Sequence, residues 1–218
     1  MNLRIFCLIL ILPQIALAQN SARILGGGYS SLQEPIVFLN SPNGSCSGAV
    51  IGNKSILTAA HCLSNFSGTP LLAGIGGKYF EVKKGYVGPN DLALLVTKKK
   101  IPGRRYKVIK NSLPRPGLVL TVFGFGAPES GILKYTYMQV AGYESGDAFI
   151  ASSLDGSTTC SGDSGGPAVY NYRGRLVVLG IVSRGQSSCA VGSTTVFGAT
   201  GSTRGYNWIA NKLKSIDK

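Results

Sequence analysis

The sequence has little histidine and no closely spaced cysteines, and both shortages restrict its chemistry. Its 218 residues include one histidine, His61, and none of the five cysteines belongs to a Cys-x-x-Cys pair. Zinc sites in proteins are built from clusters of cysteine and histidine at such short spacings. We therefore expect no metal site, and we also expect no cofactor.

Acidic residues are scarce, nine against 22 lysines and arginines, so the formal net charge is +13. It falls to +11 when Arg4 and Arg23 are removed with the first 23 residues. No zinc-finger or RNP-type motif accompanies this charge. We interpret it as a solvated surface that keeps the protein soluble, while attraction to an anionic surface, a polysaccharide or a nucleic acid stays open. Much of the charge lies at residues 98–100, Arg104, Arg105, Lys107, Lys110 and Arg115.

Long apolar runs are absent beyond the first 18 residues, so no later segment is predicted to span a membrane. Residues 1–18 have the features of a signal peptide, with Arg4, an apolar run at 5–12 and small residues at 16–18. That run is too short for a membrane anchor. We expect secretion to an extracellular or periplasmic, oxidising space. Three pairings are open to the remaining cysteines, Cys46, Cys62, Cys160 and Cys189.

Long stretches of helix-forming residues are few, whereas the chain contains 30 glycines and many short runs of strand-forming residues. Short strands separated by Gly, Pro and Asn turns are typical of an all-β barrel or sandwich. Apolar residues recur at helical spacing only near the end, over residues 206–213, which predicts a terminal helix.

Ser164 lies in the stretch Cys-Ser-Gly-Asp-Ser-Gly-Gly-Pro over residues 160–167. A serine hydroxyl becomes a good nucleophile only when a neighbouring base accepts its proton. His61 is the one imidazole available for this. Asp91 begins an otherwise apolar run, where a buried carboxylate needs a partner, and a histidine N–H would provide one.

Residues 162–166 also match the Gly-x-Ser-x-Gly elbow of α/β-hydrolases, in which the histidine follows the serine. No histidine follows Ser164, so that interpretation fails. The order His61, Asp91, Ser164 is instead the order of the chymotrypsin-like serine proteases.

Four motifs make the chain resemble that family, in its order and over nearly all of the chain after the signal peptide. They are Thr-Ala-Ala-His-Cys at 58–62, Asn-Asp-Leu-Ala-Leu at 90–94, Gly-Asp-Ser-Gly-Gly-Pro at 162–167 and Gly-Ile-Val-Ser at 180–183. Two further segments support the resemblance. They are Ile-Leu-Gly-Gly at 24–27 and a Trp-Ile pair at 208–209 in the predicted terminal helix.

The resemblance implies an all-β fold of two six-stranded antiparallel barrels, with the active site between them and a C-terminal α-helix. We expect a peptidase domain over residues 24–218. Its N-terminal barrel would cover about 24–110, its C-terminal barrel about 111–204, and its terminal helix about 205–215.

The resemblance also assigns catalytic roles. Ser164 would be the nucleophile, His61 the base and then the acid, and Asp91 the residue that orients His61. Ser183 would support Asp91 by a hydrogen bond. The N–H groups of Gly162 and Ser164 would form the oxyanion hole. The implied disulfides are Cys46–Cys62 and Cys160–Cys189.

Activation is implied at the N-terminus, where residues 19–23 would form a propeptide. Another protease would cleave after Arg23, and the freed amino group of Ile24 would pair with Asp163. A buried ion pair of this kind can act as a switch between two states. Protein that still carries residues 19–23 is therefore expected to be nearly inactive.

The residues that would line the substrate pocket are Thr158 at its floor, with Ser183, Gly185 and Thr195. Because Thr158 is not an acid, we expect no preference for Lys or Arg at P1. Thr195 would narrow the pocket, so we predict cleavage after small or medium uncharged residues, with larger apolar residues as the alternative. The enzyme should then be unable to activate itself at Arg23.

The chain departs from the family at several positions. Leu120 and Tyr170 occupy both positions of a family disulfide, and Arg184 replaces the usual tryptophan after Ser183. Glu81 is the only acid in residues 69–81, which argues against a calcium loop. Asn-x-Ser sequons, relevant only in a eukaryotic host, begin at Asn43, Asn53 and Asn65.

Two functions are compatible with these features. The leading one is a secreted serine endopeptidase, expected as a monomer that acts on protein or peptide substrates. The alternative is a catalytically silent relative that binds anionic partners through its basic surface. All three residues of the implied triad are present, which favours the enzyme.

Overall fold

The structure is a computed structural model that describes residues 27–30, 35–66, 71–127, 129–144, 147–185, 189–190 and 192–216. The predicted signal peptide 1–18, the predicted propeptide 19–23 and the proposed activation residues Arg23 and Ile24 lie outside this part of the chain.

The described residues form thirteen β-strands, one short 3₁₀ helix and one α-helix. The strands are β1 (Gly28–Tyr29), β2 (Ile36–Ser41), β3 (Gly44–Val50), β4 (Ser55–Ala59), β5 (Leu72–Ile75), β6 (Lys78–Val87), β7 (Leu92–Thr97), β8 (Val119–Gly124), β9 (Lys134–Tyr143), β10 (Ala148–Ser153), β11 (Pro167–Tyr172), β12 (Arg175–Gly185) and β13 (Thr194–Ala199). The 3₁₀ helix is His61–Phe66, and the α-helix, α1, is Thr203–Ile216.

The first barrel is closed in the order β2-β3-β4-β7-β6-β5, and all its neighbouring strands are antiparallel. Its central strands β4 and β7 are almost continuously buried. This explains why their sequences are apolar runs rather than alternating patterns. Ile56, Leu57, Leu92 and Leu94 are fully buried in its core.

The second barrel follows the order β9-β10-β13-β12-β11-β8 and is closed by the pairing of β8 with β9, while β1 adds to β9 from outside. Leu120 and Tyr170 pack in the core of this barrel. Apolar packing therefore occupies the place where the family resemblance would put a disulfide. The prediction of two six-stranded antiparallel barrels is confirmed.

The terminal helix α1 begins behind a side-chain cap, because Ser202 Oγ accepts a hydrogen bond from the Gly205 N–H at 3.0 Å. Ile209, Trp208 and Leu213 pack it onto the core cluster of the first barrel. The last element of the chain therefore reaches back from the second barrel to the first. No helix in the described part of the chain is both long and apolar enough to cross a membrane.

Candidate active site

His61 is positioned by the end of β4 and by a disulfide. It opens the 3₁₀ helix directly after this buried strand, and the next residue, Cys62, is bonded to Cys46 on β3. This pair and Cys160–Cys189 are the two disulfides that the resemblance implies. Although His61 lies beside two sulfur atoms, sulfurs joined in a disulfide cannot act as thiolate metal ligands.

Asp91 accepts three hydrogen bonds that join both barrels. His61 Nδ1 lies 2.7 Å from Asp91 Oδ2, and the His61 N–H donates to Asp91 Oδ1 at 2.9 Å. Ser183 Oγ, from β12 of the second barrel, donates to Oδ2 at 2.7 Å. Because an ionised carboxylate only accepts, the proton of a neutral His61 belongs on Nδ1 and leaves Nε2 free to act as a base.

The hydrogen bonds keep Asp91 ionised. Partial burial raises the pKa of the Asp91 carboxyl, but the hydrogen bonds from His61 and Ser183 outweigh this effect, so the pKa lies below its usual value. The negative charge then stabilises an imidazolium whenever His61 takes up a proton.

The backbone before β7 turns sharply to aim this carboxylate. Asn90 and Asp91 have φ angles of 54° and 60°, in the left-handed region that costs most residues free energy but that Asn and Asp tolerate best. The Asp91 carbonyl accepts a hydrogen bond from the Ala60 N–H at 2.7 Å. The two segments that carry His61 and Asp91 are thus joined through backbone as well as side chains.

The turn that carries Ser164 requires its glycines. Gly162 and Gly165 have φ angles of 95° and 82°, which residues with a Cβ atom rarely adopt. A Cβ atom at Gly165 would also lie 2.1 Å from Thr58 Oγ1 and 2.2 Å from the Ser47 carbonyl oxygen. These glycines allow the turn to pack directly on the first barrel.

Ser47, on β3, anchors this turn, and sequence reasoning missed it. The Ser47 N–H donates to the Ser164 carbonyl at 2.7 Å, and Ser47 Oγ donates to the Gly162 carbonyl at 2.9 Å. Ser47 Oγ also accepts from the Phe125 N–H at 3.0 Å. Its side chain is fully buried between the barrels. The sequence signal is a small polar residue between Cys46 and Gly48, in the part of β3 that the structure shows as buried.

The backbone on either side of Ser164 leaves two donors available. Within the described part of the chain, neither the Gly162 N–H nor the Ser164 N–H donates to a backbone oxygen. The carbonyl oxygens of Gly162 and Ser164 both accept hydrogen bonds from Ser47. Two unengaged N–H groups on one tight turn can bind an oxygen that gains negative charge.

Ser164 and His61 line one open cleft of about 510 Å³. Between these two described residues there is no hydrogen bond from Ser164 Oγ to the imidazole, and His61 Nε2 lies 3.9 Å from Cys62 Sγ. Catalytic hydrogen bonds are often long without substrate and shorten when it binds. Asp91, Thr159, Ser183 and Gly185 also line this cleft.

Of the four residues predicted for the substrate pocket, two line the cleft and two are buried in the protein. Ser183 and Gly185 line the cleft, whereas Thr158 and Thr195 are fully buried and are not among its described lining residues. Thr159, which sequence reasoning missed, does line the cleft, and its Oγ1 lies 2.8 Å from Thr195 Oγ1. The hydroxyl groups of Thr159 and Thr195 are thus hydrogen-bonded at the cleft, whereas Thr158 does not line it.

Arg184, which also lines the cleft, forms an ion pair with Glu144. The arginine side chain remains more than half exposed. An exposed pair of this kind contributes little to stability, so the position that usually holds a tryptophan carries a solvated cation here.

Asp163, next to the proposed nucleophile, points away from the cleft into the protein. It is completely buried and accepts hydrogen bonds from the Gly126 N–H at 2.8 Å and the Cys160 N–H at 2.9 Å. Burial raises the pKa of the Asp163 carboxyl to about 6, although these hydrogen bonds and the charge of Lys134 act in the opposite direction.

Comparison with known proteins identifies related sequences over most of the chain. The model of the Trypsin family matches residues 27–209 of the chain. Trypsin delta of Drosophila erecta is 30% identical over 82% of this chain and 84% of its own. Trypsin alpha-4 of Lucilia cuprina is 28% identical, with 94% and 92% covered. Lectizyme of Glossina austeni is also 28% identical, with 89% and 88% covered.

Proposed function

This chain belongs to the trypsin family and is a serine endopeptidase, and we propose that Ser164, His61 and Asp91 carry out its peptide hydrolysis. The observation that supports this most directly is the position of Asp91. It is held by His61 from one barrel and by Ser183 from the other, beside the cleft that Ser164 also lines.

The proposed first step is attack of Ser164 Oγ on the carbonyl carbon of the substrate peptide bond, while its proton passes to His61 Nε2. The oxygen that becomes negative is bound by the Gly162 and Ser164 N–H groups. His61 then gives the proton to the leaving amine as the C–N bond breaks. An ester between the substrate acyl group and Ser164 remains.

The second step repeats this chemistry with water. His61 Nε2 takes a proton from a water molecule, whose oxygen attacks the ester carbonyl. The proton is then returned to Ser164 Oγ when the ester C–O bond breaks. Throughout, Asp91 keeps the imidazole in the required tautomer and stabilises its cation.

Digestion of a peptide library by protein that begins at Ile24 tests this function. We expect cleavage after small or medium uncharged residues and none by the Ser164→Ala variant prepared in parallel. Activity no higher than in that variant would contradict the enzyme assignment. Preferred cleavage after Lys or Arg would contradict the pocket assignment alone.

We propose that the hydroxyl pair of Thr159 and Thr195 sets the P1 preference. The matched relatives include proteins named trypsin, but Thr158, which the resemblance places at the pocket floor, is not an acid. No carboxylate is therefore supplied there for a Lys or Arg side chain. The hydrogen bond between the two hydroxyl groups would hold the Thr195 side chain against Thr159 and so shorten the pocket.

The Thr195→Gly variant should deepen this pocket. The ratio of kcat/KM for a leucine P1 substrate over an alanine P1 substrate is expected to rise at least about tenfold, because each methylene in an apolar pocket contributes about 1–3 kcal/mol. Steady-state kinetics with the two peptides measures it. Thr194→Gly is the matched control, because Thr194 is an exposed threonine on the same strand. An equal rise in both variants would contradict the role of Thr195.

We propose that the protein is secreted and is activated by a separate protease that cleaves after Arg23. A pocket without an acid would not accept Arg23, which supports the need for a second enzyme. An anionic partner for the basic surface stays a prediction. Lys98, Lys99, Lys100 and Arg104 are exposed there, and Lys98 also pairs with Glu81 at 2.5 Å.

A further inference from the structure

Arg184, near the end of β12, is a cation in the same cleft as the proposed triad. Among the described residues that line this cleft, the other groups able to carry a charge are His61 and Asp91, and both already have a role in the proposed mechanism. The Arg184 side chain is 58% exposed, so a bound substrate can reach it. The proposed mechanism gives this arginine no role.

The guanidinium group of Arg184 has donors that the protein does not use. A guanidinium carries five N–H donors and no acceptor. Within the described part of the chain, the hydrogen bond of this side chain runs from Nη2 to Glu144 Oε2. Since a guanidinium binds a carboxylate best through two parallel N–H···O bonds, the remaining donors fit a carboxylate on the substrate.

Glu144 binds this arginine only weakly. The Glu144 N–H donates to the Ala148 carbonyl at 3.0 Å, in the turn between β9 and β10. Its side chain is 32% exposed, and that of Arg184 is more exposed still. Ion pairs that face solvent contribute little free energy. A substrate carboxylate can therefore bind beside Glu144, or replace it, at small cost.

Two further carboxylates near the cleft have partners of their own. Asp91 accepts hydrogen bonds from His61 and Ser183. Asp147, at the other end of the turn that follows β9, accepts a hydrogen bond from the Asn90 side-chain amide at 3.1 Å. Neither has a hydrogen bond to the arginine in the part of the chain that the structure describes, so its unused donors stay available to a substrate.

The charge of the whole protein acts in the same direction. The formal net charge is +11 once the first 23 residues are removed. A strongly positive protein attracts acidic partners over distances longer than a direct contact. The local cation and the overall charge therefore favour the same kind of substrate.

The direction of β12 indicates which substrate residue Arg184 would contact. The next residue, Gly185, faces the proposed P1 pocket, since a Cβ atom added there would lie 3.1 Å from Thr159 Oγ1. Successive side chains of a strand point to opposite faces. The Arg184 side chain thus points away from Thr159, and it would contact a neighbour of the P1 residue rather than P1 itself.

We propose that Arg184 is a specificity-determining residue that selects peptides with an aspartate or glutamate close to P1. The substrate carboxylate binds the free guanidinium donors and competes with Glu144 for them. The substrates are then acidic peptide segments that are cleaved after a small or medium uncharged residue. This inference rests on the proposed peptidase function.

The test uses protein that begins at Ile24 and peptides of one sequence with alanine at P1. Glutamate or glutamine is placed singly at each position from P4 to P2 and from P1′ to P3′. We expect kcat/KM for glutamate to exceed that for glutamine by at least about fivefold at one or more positions. The gain should lie mainly in KM, because the contact is away from the bond that breaks. Equal values at every position would overturn the inference.

Arg184→Gln should reduce this glutamate-to-glutamine ratio to about one, and Arg184→Glu should make lysine the favoured residue at the same position. Arg175→Gln is the matched control. It removes the same charge from an exposed arginine at the other end of β12, which is not among the described residues of the cleft, and it should keep the ratio. A ratio that survives Arg184→Gln, or falls equally in Arg175→Gln, would contradict the role of Arg184.

Glu144→Gln tests the same role with Arg184 intact. Removing the competing carboxylate should raise the ratio about two- to threefold. Glu81→Gln, which removes the same charge from the exposed pair with Lys98 in the first barrel, is its control and should change nothing. Raising the salt concentration from about 0.05 to about 0.5 M should lower the ratio, because salt screens exposed charges.

A ratio that responds neither to Glu144→Gln nor to salt would also overturn the inference. Inactivity of the Ile24 form on every peptide would instead overturn the proposed function.

Discussion

Replacing Ser164 with alanine is expected to lower kcat of the Ile24 form by about 10⁶-fold, because the acyl-enzyme ester cannot form. His61→Ala should cause a loss of similar size, since His61 is the only histidine in the sequence. The double variant should be no slower than either single variant, because the two residues act as one unit. Single-turnover and steady-state kinetics on one peptide measure all three losses.

Ser161→Ala is the matched control for this experiment. Ser161 also lines the cleft, but its hydroxyl has no part in the proposed mechanism, and the substitution should change kcat by less than about threefold. Folding of each variant is checked by its thermal unfolding temperature. A Ser164→Ala protein that keeps more than a hundredth of the activity would contradict the assigned nucleophile.

Cleavage after Arg23 is expected to raise kcat/KM by at least about 10²- to 10³-fold, the effect of losing an oxyanion donor. The new Ile24 amino group would bring a positive charge to Asp163, which is completely buried and has a pKa raised to about 6. The ion pair would fully order the turn that presents the Gly162 and Ser164 N–H groups. Steady-state kinetics of the Arg23→Gln chain and of the Ile24 form give the ratio of their kcat/KM values.

Two controls separate the new charge from the loss of residues 19–23. A chain with one additional serine before Ile24 lacks the propeptide but should stay as slow as the uncut protein, because its amino group is displaced. Asp163→Asn in the Ile24 form removes the other member of the pair and should cause a comparable loss. Full activity of the Arg23→Gln chain would contradict activation by cleavage.

The strands and the candidate catalytic residues could be predicted, because each depends on a short stretch of sequence. Apolar runs bounded by turns indicated the strands, and the order His61, Asp91, Ser164 distinguished this site from an α/β-hydrolase. The carboxylate that opens β7 required a donor, and the structure places His61 and Ser183 on it. Polar groups at the edges of apolar strands must find partners, so their presence alone is informative.

Other features depend on groups that only the folded chain brings together. Ser47 is one of several serines in β-strands, and its contact with the Ser164 turn arises because the two barrels meet there. Thr159 rather than Thr158 faces the cleft, and its partner Thr195 comes from β13. The direction of a side chain at a turn depends on backbone angles that neighbouring residue types do not specify.

The sequence by itself determined the all-β class, the candidate triad and the residues able to pair in disulfides, because each is a matter of residue type and chain order. Only the tertiary structure decided that Lys134 and Asp163 are completely buried, that Ser47 contacts the turn that carries Ser164, and that Thr159 lines the cleft with its hydroxyl beside that of Thr195. Burial and pairing depend on which distant strands pack around a side chain. A lysine in a strand looks the same in sequence whether its side chain is exposed to water or buried in the protein.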